Sequence, residues 1–208
     1  MAYREALTGK AVVDRTLRKQ TGGPGQFARG KLVVEPDEGL VFVDSTTGGA
    51  VPSEYIPAVE AGVRAALASG SGLGWPMSGA RVTLVDGAFH PNDSSATAFE
   101  RVAREATVEG FAEGGVVLLE PRMKVDIATP DDFVGAVIGD LNARRGTVVQ
   151  SEAGKAGHNI VAHVPLATMF GYVSALRSLS RGRATFSMVL DHYAEVPKAI
   201  ATDLRARA

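Results

Sequence analysis

Leu118-Leu119-Glu120-Pro121-Arg122-Met123-Lys124-Val125-Asp126-Ile127-Ala128-Thr129-Pro130-Asp131-Asp132, residues 118–132, is the stretch from which the fold class follows. Its first part reads as a strand running from Val116 to Ile127. Pro121 has no N–H for a ladder and so marks an edge or a bend. Its last part opens a helix: Thr129 stands at the cap, Pro130 in the first turn, and two acids lie where the helix dipole is positive. That helix ends around Arg144-Arg145-Gly146. Strands follow at Thr147–Glu152 and Asn159–Val164, then a helix over Pro165–Leu179 and a strand over Ala184–Leu190. The order β-α-β-β-α-β is that of a split βαβ, ferredoxin-like sandwich. A last helix, Pro197–Arg207, closes the chain.

Toward the N-terminus the organisation changes at Glu113-Gly114-Gly115, so two domains are expected with a boundary near residue 116. Before it, a strand over Lys10–Lys19 and another over Lys31–Glu35 flank the glycine-rich Thr21–Gln26, which reads as a hairpin with a long tip. A short strand, Leu40–Val43, leads to a helix over Ser53–Ser69. There Ile56, Val59, Val63 and Leu67 keep one face, and Gly70 suits the stop. A strand over Arg81–Val85 ends in Asp86-Gly87, a turn signal. Ser94 or Ser95 then caps a helix whose apolar positions are Phe99, Val102, Ala103, Ala106 and Phe111.

Composition bounds what the chain can do. Its 208 residues are 45% hydrophobic and 22% charged, with mean hydropathy of +0.06, an ordinary globular balance. Cysteine is absent, which excludes disulfides and thiolate metal sites and fits a reducing cytoplasm. No apolar run reaches the roughly 18–20 residues a membrane helix needs. The N-terminus lacks the apolar core of a signal peptide. Net charge is −1, yet six basic residues (Lys10, Arg15, Arg18, Lys19, Arg29, Lys31) face one acid, Asp14, within a short N-terminal segment. A second cluster is Arg177, Arg181 and Arg183, and a third is Arg144–Arg145, while the acids gather on the expected helices. Such polarity suits contact with a polyanion, although solvated surface charge would look the same.

Motifs for catalysis are missing or imperfect. Gly25-Gln26-Phe27-Ala28-Arg29-Gly30-Lys31-Leu32 nearly matches a phosphate-binding loop, but Leu32 stands where a magnesium-ligating Ser or Thr belongs. Val33 and Val34 then read as strand rather than as the start of a helix. No GTP or ATP hydrolysis is expected of this chain. The histidines at 90, 158, 163 and 192 show no i, i+4 spacing, so no metal site is expected, and no nucleophile arrangement stands out. His90, in the polar loop Asp86–Asp93, reads either as an exposed turn residue or as a ring able to stack on a base.

Several stretches, in order along essentially the whole chain, resemble the C-terminal half of elongation factor G. Tyr3-Arg4-Glu5 resembles the opening of its fourth domain, Gly22-Gly23-Pro24-Gly25-Gln26-Phe27 its first tip loop, and Gly48–Val59 the entry to its first helix. Asp86-Gly87-Ala88-Phe89-His90, followed by Asp93-Ser94-Ser95, resembles the second tip loop. In the next domain Leu118–Val125, Gly139–Gly146, Met169–Tyr172, Gly182–Ala184 and His192–Lys198 all fit.

The resemblance implies an α+β protein of two domains. Residues 1–116 would form a domain IV-like fold with a left-handed βαβ crossover (S5 domain 2-like), and 117–194 a ferredoxin-like βαββαβ sandwich. Residues 195–208 would form a helix packing back on the first domain. It also implies a monomeric, cytoplasmic, ribosome-binding piece of a longer translational GTPase, with rRNA and the tRNA–mRNA duplex as partners and no membrane. GTP and Mg2+ would belong to an N-terminal half not contained here. The tip loops, at Gly22, Gly23, Gly25, Gln26, Arg29, His90 and Asp93, would contact the codon–anticodon duplex during translocation. Arg144, Arg145, Arg177, Arg181 and Arg183 would contact rRNA. The sequence departs from the family at Arg29, often histidine, at Gly30 and Lys31, and at Pro91-Asn92, where an acid is frequent. Alternatives are a ribosomal-protection or other specialised paralogue, and a free-standing ferredoxin-like enzyme, for which no convergent polar pocket is seen. The forms Gly-Gly-Pro-Gly-Gln and Asp-Gly-Ala-Phe-His favour the translocase.

Overall fold

The computed structural model describes residues 3–19, 25–72, 74–154 and 157–207. They divide into two compact units: Tyr3–Leu118 with Val196–Ala208, and Leu119–Glu195.

Strand β1 (Arg4–Leu7), which the sequence reading missed, opens the first unit. The main sheet of that unit has the order β2-β3-β5-β4. Strands β2 (Ala11–Lys19) and β3 (Gln26–Glu35) form an antiparallel hairpin in continuous register from Ala11↔Val34 to Lys19↔Gln26. Strand β5 (Ala80–Ala88) runs antiparallel to β3, and β4 (Leu40–Asp44) lies parallel to β5. Helix α1 (Ile56–Ser69) supplies the crossover between β4 and β5, which makes this a βαβ unit. Helix α2 (Ala96–Gly114) follows, with the Ser95 side chain accepting from the Ala98 N–H at 3.2 Å.

One face of the sheet is apolar by alternation. Ala28, Gly30, Leu32 and Val34 of β3 are buried while their neighbours are not. Against them pack Val59, Val63, Ala66 and Leu67 of α1 and Phe99, Val102, Ala103, Ala106 and Phe111 of α2. At Gly62 the two helices come so close that a side-chain carbon would overlap the Glu100 carbonyl.

Two expected strand boundaries of this unit differ. β3 begins at Gln26, not Lys31, and β5 continues through Asp86-Gly87 to Ala88. Gly30 and Lys31 pair with Arg15 and Asp14 on one side, and with Gly87 and Asp86 on the other. Ladder hydrogen bonds from both neighbours outweigh the local turn preference of glycine and aspartate.

Strand β6 (Val116–Thr129) passes from the first unit into the second. The second unit continues with α3 (Val134–Ala143), β7 (Thr147–Gly154), β8 (Gly157–Pro165), α4 (Tyr172–Ser180) and β9 (Thr185–Glu195). Within this unit β6 is flanked by β8 and β9, and β7 pairs with β8, all antiparallel, giving the order β9-β6-β8-β7, while β1 of the first unit also pairs with β6. This is the split βαβ arrangement.

Met123, Val125 and Ile127 of β6 and Ile160, Ala162 and Val164 of β8 meet Val137 and Leu141 of α3 and Tyr172 and Leu176 of α4. The helices therefore cover one face. Residues that alternate with these, such as Lys124 and His163, belong to the other face. Pro121 sits inside β6 and pairs with Tyr193 of β9, while the β8 register begins at Arg122. Thr129 does not cap a helix. It ends β6, and a short 3-10 turn over Asp131–Phe133 leads into α3.

Helix α5 (Lys198–Arg207) belongs with the first unit. There the Val196 N–H donates to the Leu118 carbonyl at 2.8 Å and Arg205 donates to the Val116 carbonyl at 2.9 Å.

Candidate nucleic-acid interface

At one end of the first sheet, the start of β3 and the segment after β5 are clasped together. The Phe27 N–H donates to the Asp93 carbonyl at 2.8 Å. The Ser94 hydroxyl donates to the Phe27 carbonyl at 2.7 Å and accepts from the His90 N–H at 2.9 Å. The Ser94 N–H returns a bond to the His90 carbonyl. Gly25 lies against Asp93 so tightly that an added side-chain carbon would fall 2.7 Å from the carboxyl carbon.

Together these strands and loops frame an open cleft of about 540 Å3, lined by Arg18, Lys19, Gly25, Gln26, Phe27, Phe89, His90 and Asp93. The His90 ring is half exposed. Its Nδ1 lies 3.3 Å from the Asp93 carboxylate and within reach of the Asn92 N–H. Phe89 is 43% exposed.

Gly25, Gln26, His90 and Asp93 thus come together. Gly22 and Gly23 lie outside the described residues. Arg29 lies further along the sheet, opposite Thr16 and Ala88. Its guanidinium is held by Asp14, at 2.5 and 2.9 Å, and by Asp86 at 3.1 Å. The Asp86 carboxyl is held below its ordinary range by the Gly87 N–H first and by Arg29 second.

Half of the basic N-terminal cluster is neutralised in the same way. Arg15 bonds Glu105 and Glu109 of α2, and Lys10 pairs with Glu35. Arg18 and Lys19, at the cleft, are exposed and have no ion pair among the described residues. Neither they nor Phe89 could be singled out from sequence, because the cleft that brings them together is formed by segments remote in the chain.

Chemically, the cleft offers two uncommitted cations for phosphate, a carboxamide and an imidazole for hydrogen bonding, and an aromatic face for stacking. These are the groups that position and stack nucleic acid.

The arginines of the second unit are heterogeneous. Arg144 is tied to Asp140 and the Thr168 carbonyl, and stacks 5.0 Å from the Tyr172 ring centroid. Arg145 makes a two-pronged pair with the buried Glu120, at 2.9 and 2.8 Å. Arg183 lies over Phe133 at 4.7 Å. Arg177 and Arg181, at the end of α4, are exposed and have no ion pair among the described residues. The Gly25–Leu32 stretch runs almost entirely in β3, so it cannot form the strand-to-helix loop that cradles a nucleotide phosphate.

Comparison with known proteins agrees with this architecture. Residues 1–115 match the family described as elongation factor G, domain IV, and residues 117–204 match elongation factor G C-terminus. The chain is 52% identical over 211 aligned residues to elongation factor G of Rhodopseudomonas palustris (strain BisB18), with all of this chain covered and 30% of that protein. A crystal structure from Thermus thermophilus superposes with a TM-score of 0.89 at 36% identity, again over the whole chain and 32% of the other. The chain thus spans about a third of the length of the relatives it matches. With both matches running in order from end to end, it belongs to the elongation factor G family and carries that family's domain IV followed by its C-terminal domain.

Proposed function

We propose that this chain is the RNA-contacting part of a translation factor that promotes movement of tRNA and mRNA through the ribosome. In this reading the cleft of the first unit meets the codon–anticodon duplex in the decoding site. Gln26 and His90 hydrogen-bond its backbone, while Arg18 and Lys19 neutralise its phosphates. Arg177 and Arg181 are the second unit's best candidates for rRNA contact, since their charge is not spent inside the protein. GTP and Mg2+ would act in a separate part of the factor, and no residue here takes part in hydrolysis. The factor works as a monomer in the cytoplasm.

The observation that carries the proposal is the joining of Gln26 and His90 at one cleft beside two unpaired cations, within a chain of this family. In a full-length factor, His90→Ala should slow single-round translocation by more than about tenfold, a barrier increase of about 1.4 kcal/mol or more. Ribosome-stimulated GTP hydrolysis should stay near normal. Equal losses in both steps would point to a folding defect and remove the support for a tip contact.

A further inference from the structure

The second unit has a side-chain cluster that this reading leaves unused. His163 of β8 and Asp191 and His192 of β9 converge on one spot, although 28 residues separate the first two. One donor atom from each lies within 4.8 Å of the others. His163 Nε2 is 3.5 Å from the Asp191 carboxylate, His192 Nδ1 is 2.6 Å from it, and the two rings meet edge to face at 5.3 Å.

A distortion of the sheet produces the convergence. Consecutive strand residues ordinarily point to opposite faces. Between Arg122 and Met123 the β6–β9 register shifts: Arg122 pairs with His192 and Met123 with Leu190, so Asp191 is the extra residue of a bulge. The bulge re-aims the strand so that both Asp191 and His192 reach His163, which pairs with Lys124 from the other side of β6. The helices cover the opposite face, and all three side chains remain solvent-accessible at 30–46% exposure.

We propose that His163, Asp191 and His192 form a binding site for a divalent transition-metal ion of the zinc class. Two imidazoles and one carboxylate are a donor set that Zn2+ accepts, with solvent completing the coordination. Bonds of about 2.0–2.1 Å around a tetrahedral ion put donors roughly 3.3 Å apart. The two separations from the Asp191 carboxylate, 2.6 and 3.5 Å, bracket that spacing. The Lys124 ammonium acts electrostatically on Asp191 and would compete with the ion. The bound metal would pin β8 to β9 across β6.

The test uses the intact 208-residue chain, freed of metal with a chelator and titrated with Zn2+ by calorimetry, with Co2+ absorption reporting the coordination. One saturable site per chain is expected. His163→Ala and His192→Ala should each weaken it by at least about tenfold, because losing even an outer-shell partner costs about 10–100-fold. If an alanine variant melts early in chelator, His163→Gln and His192→Gln replace it. His90→Ala, in the other unit, should bind like the parent. Absence of saturable binding, or binding that survives loss of both His163 and His192, overturns the assignment.

Discussion

Ser94 shows how a single hydroxyl assembles the tip. It donates to Phe27 and accepts from His90, so it joins two segments 67 residues apart. Ser94→Ala leaves a backbone donor and a carbonyl without their partner, and should cost about 1–3 kcal/mol of local stability. Hydrogen exchange would report it as faster exchange at the His90 amide. Unchanged protection there would mean that the clasp is not what orders the loop. Tyr172 makes the opposite case. Its ring is buried under Arg144, but its hydroxyl has no partner among the described residues. Tyr172→Phe removes a desolvated hydroxyl without opening a cavity, so urea denaturation should show stability unchanged or raised by up to about 1–3 kcal/mol. A loss of that size would reveal a bond to a bound water.

Glycine has different meanings in different helices. Gly135 and Gly139 of α3 are exposed and would meet nothing within 4 Å if a side-chain carbon were added. Changing either to Ala should stabilise the chain by about 0.5–1 kcal/mol, because helical glycine carries excess unfolded-state entropy. Gly62 of α1 has the same propensity cost, but its position is the closest approach of α1 to the α2 backbone. Gly62→Ala should therefore destabilise, against the propensity scale, by the roughly 1–3 kcal/mol typical of overpacking. Thermal denaturation of the three variants decides it, and a stabilised Gly62→Ala would mean that the helices can separate without loss. The apolar faces of α1 and α2 were both legible from spacing. The ends of β3 and β5 were not, since Gly30, Lys31, Asp86 and Gly87 are held extended by partners distant in sequence.

Charge pairing across the whole chain sets its acid stability. Asp86 and Asp37 are held below the ordinary carboxylate range, each first by a backbone N–H, from Gly87 and Gly39, and then by Arg29 and Arg81. Glu105 is lowered by Arg101 first and also by Arg15. A carboxyl with a depressed folded-state pKa stabilises the fold above its unfolded-state value, and that contribution disappears as pH falls through the folded value. Urea midpoints should therefore hold steady from neutral pH down to about pH 5 and fall below about pH 4. Asp86→Asn should flatten part of that fall, and a midpoint level to about pH 3 would contradict the pairing.

The sequence alone determined the α+β class, the ferredoxin-like order of the second unit, the core-facing positions of α1 and α2 and, through many matching stretches in register, the family. Those properties rest on periodicity and turn chemistry, which are carried by near neighbours. Tertiary structure alone decided which cations are free. Arg29, Arg144 and Arg145 look like Arg18 and Arg177 in sequence, yet the first three are bound by Asp14, Asp140 and Glu120. It also decided that Gly25 would sit on Asp93, and that His163 would meet Asp191 and His192. Apart from Asp140–Arg144, an i,i+4 pair at the end of α3, each depends on a distance between residues remote in sequence, which follows from strand pairing rather than from local spacing.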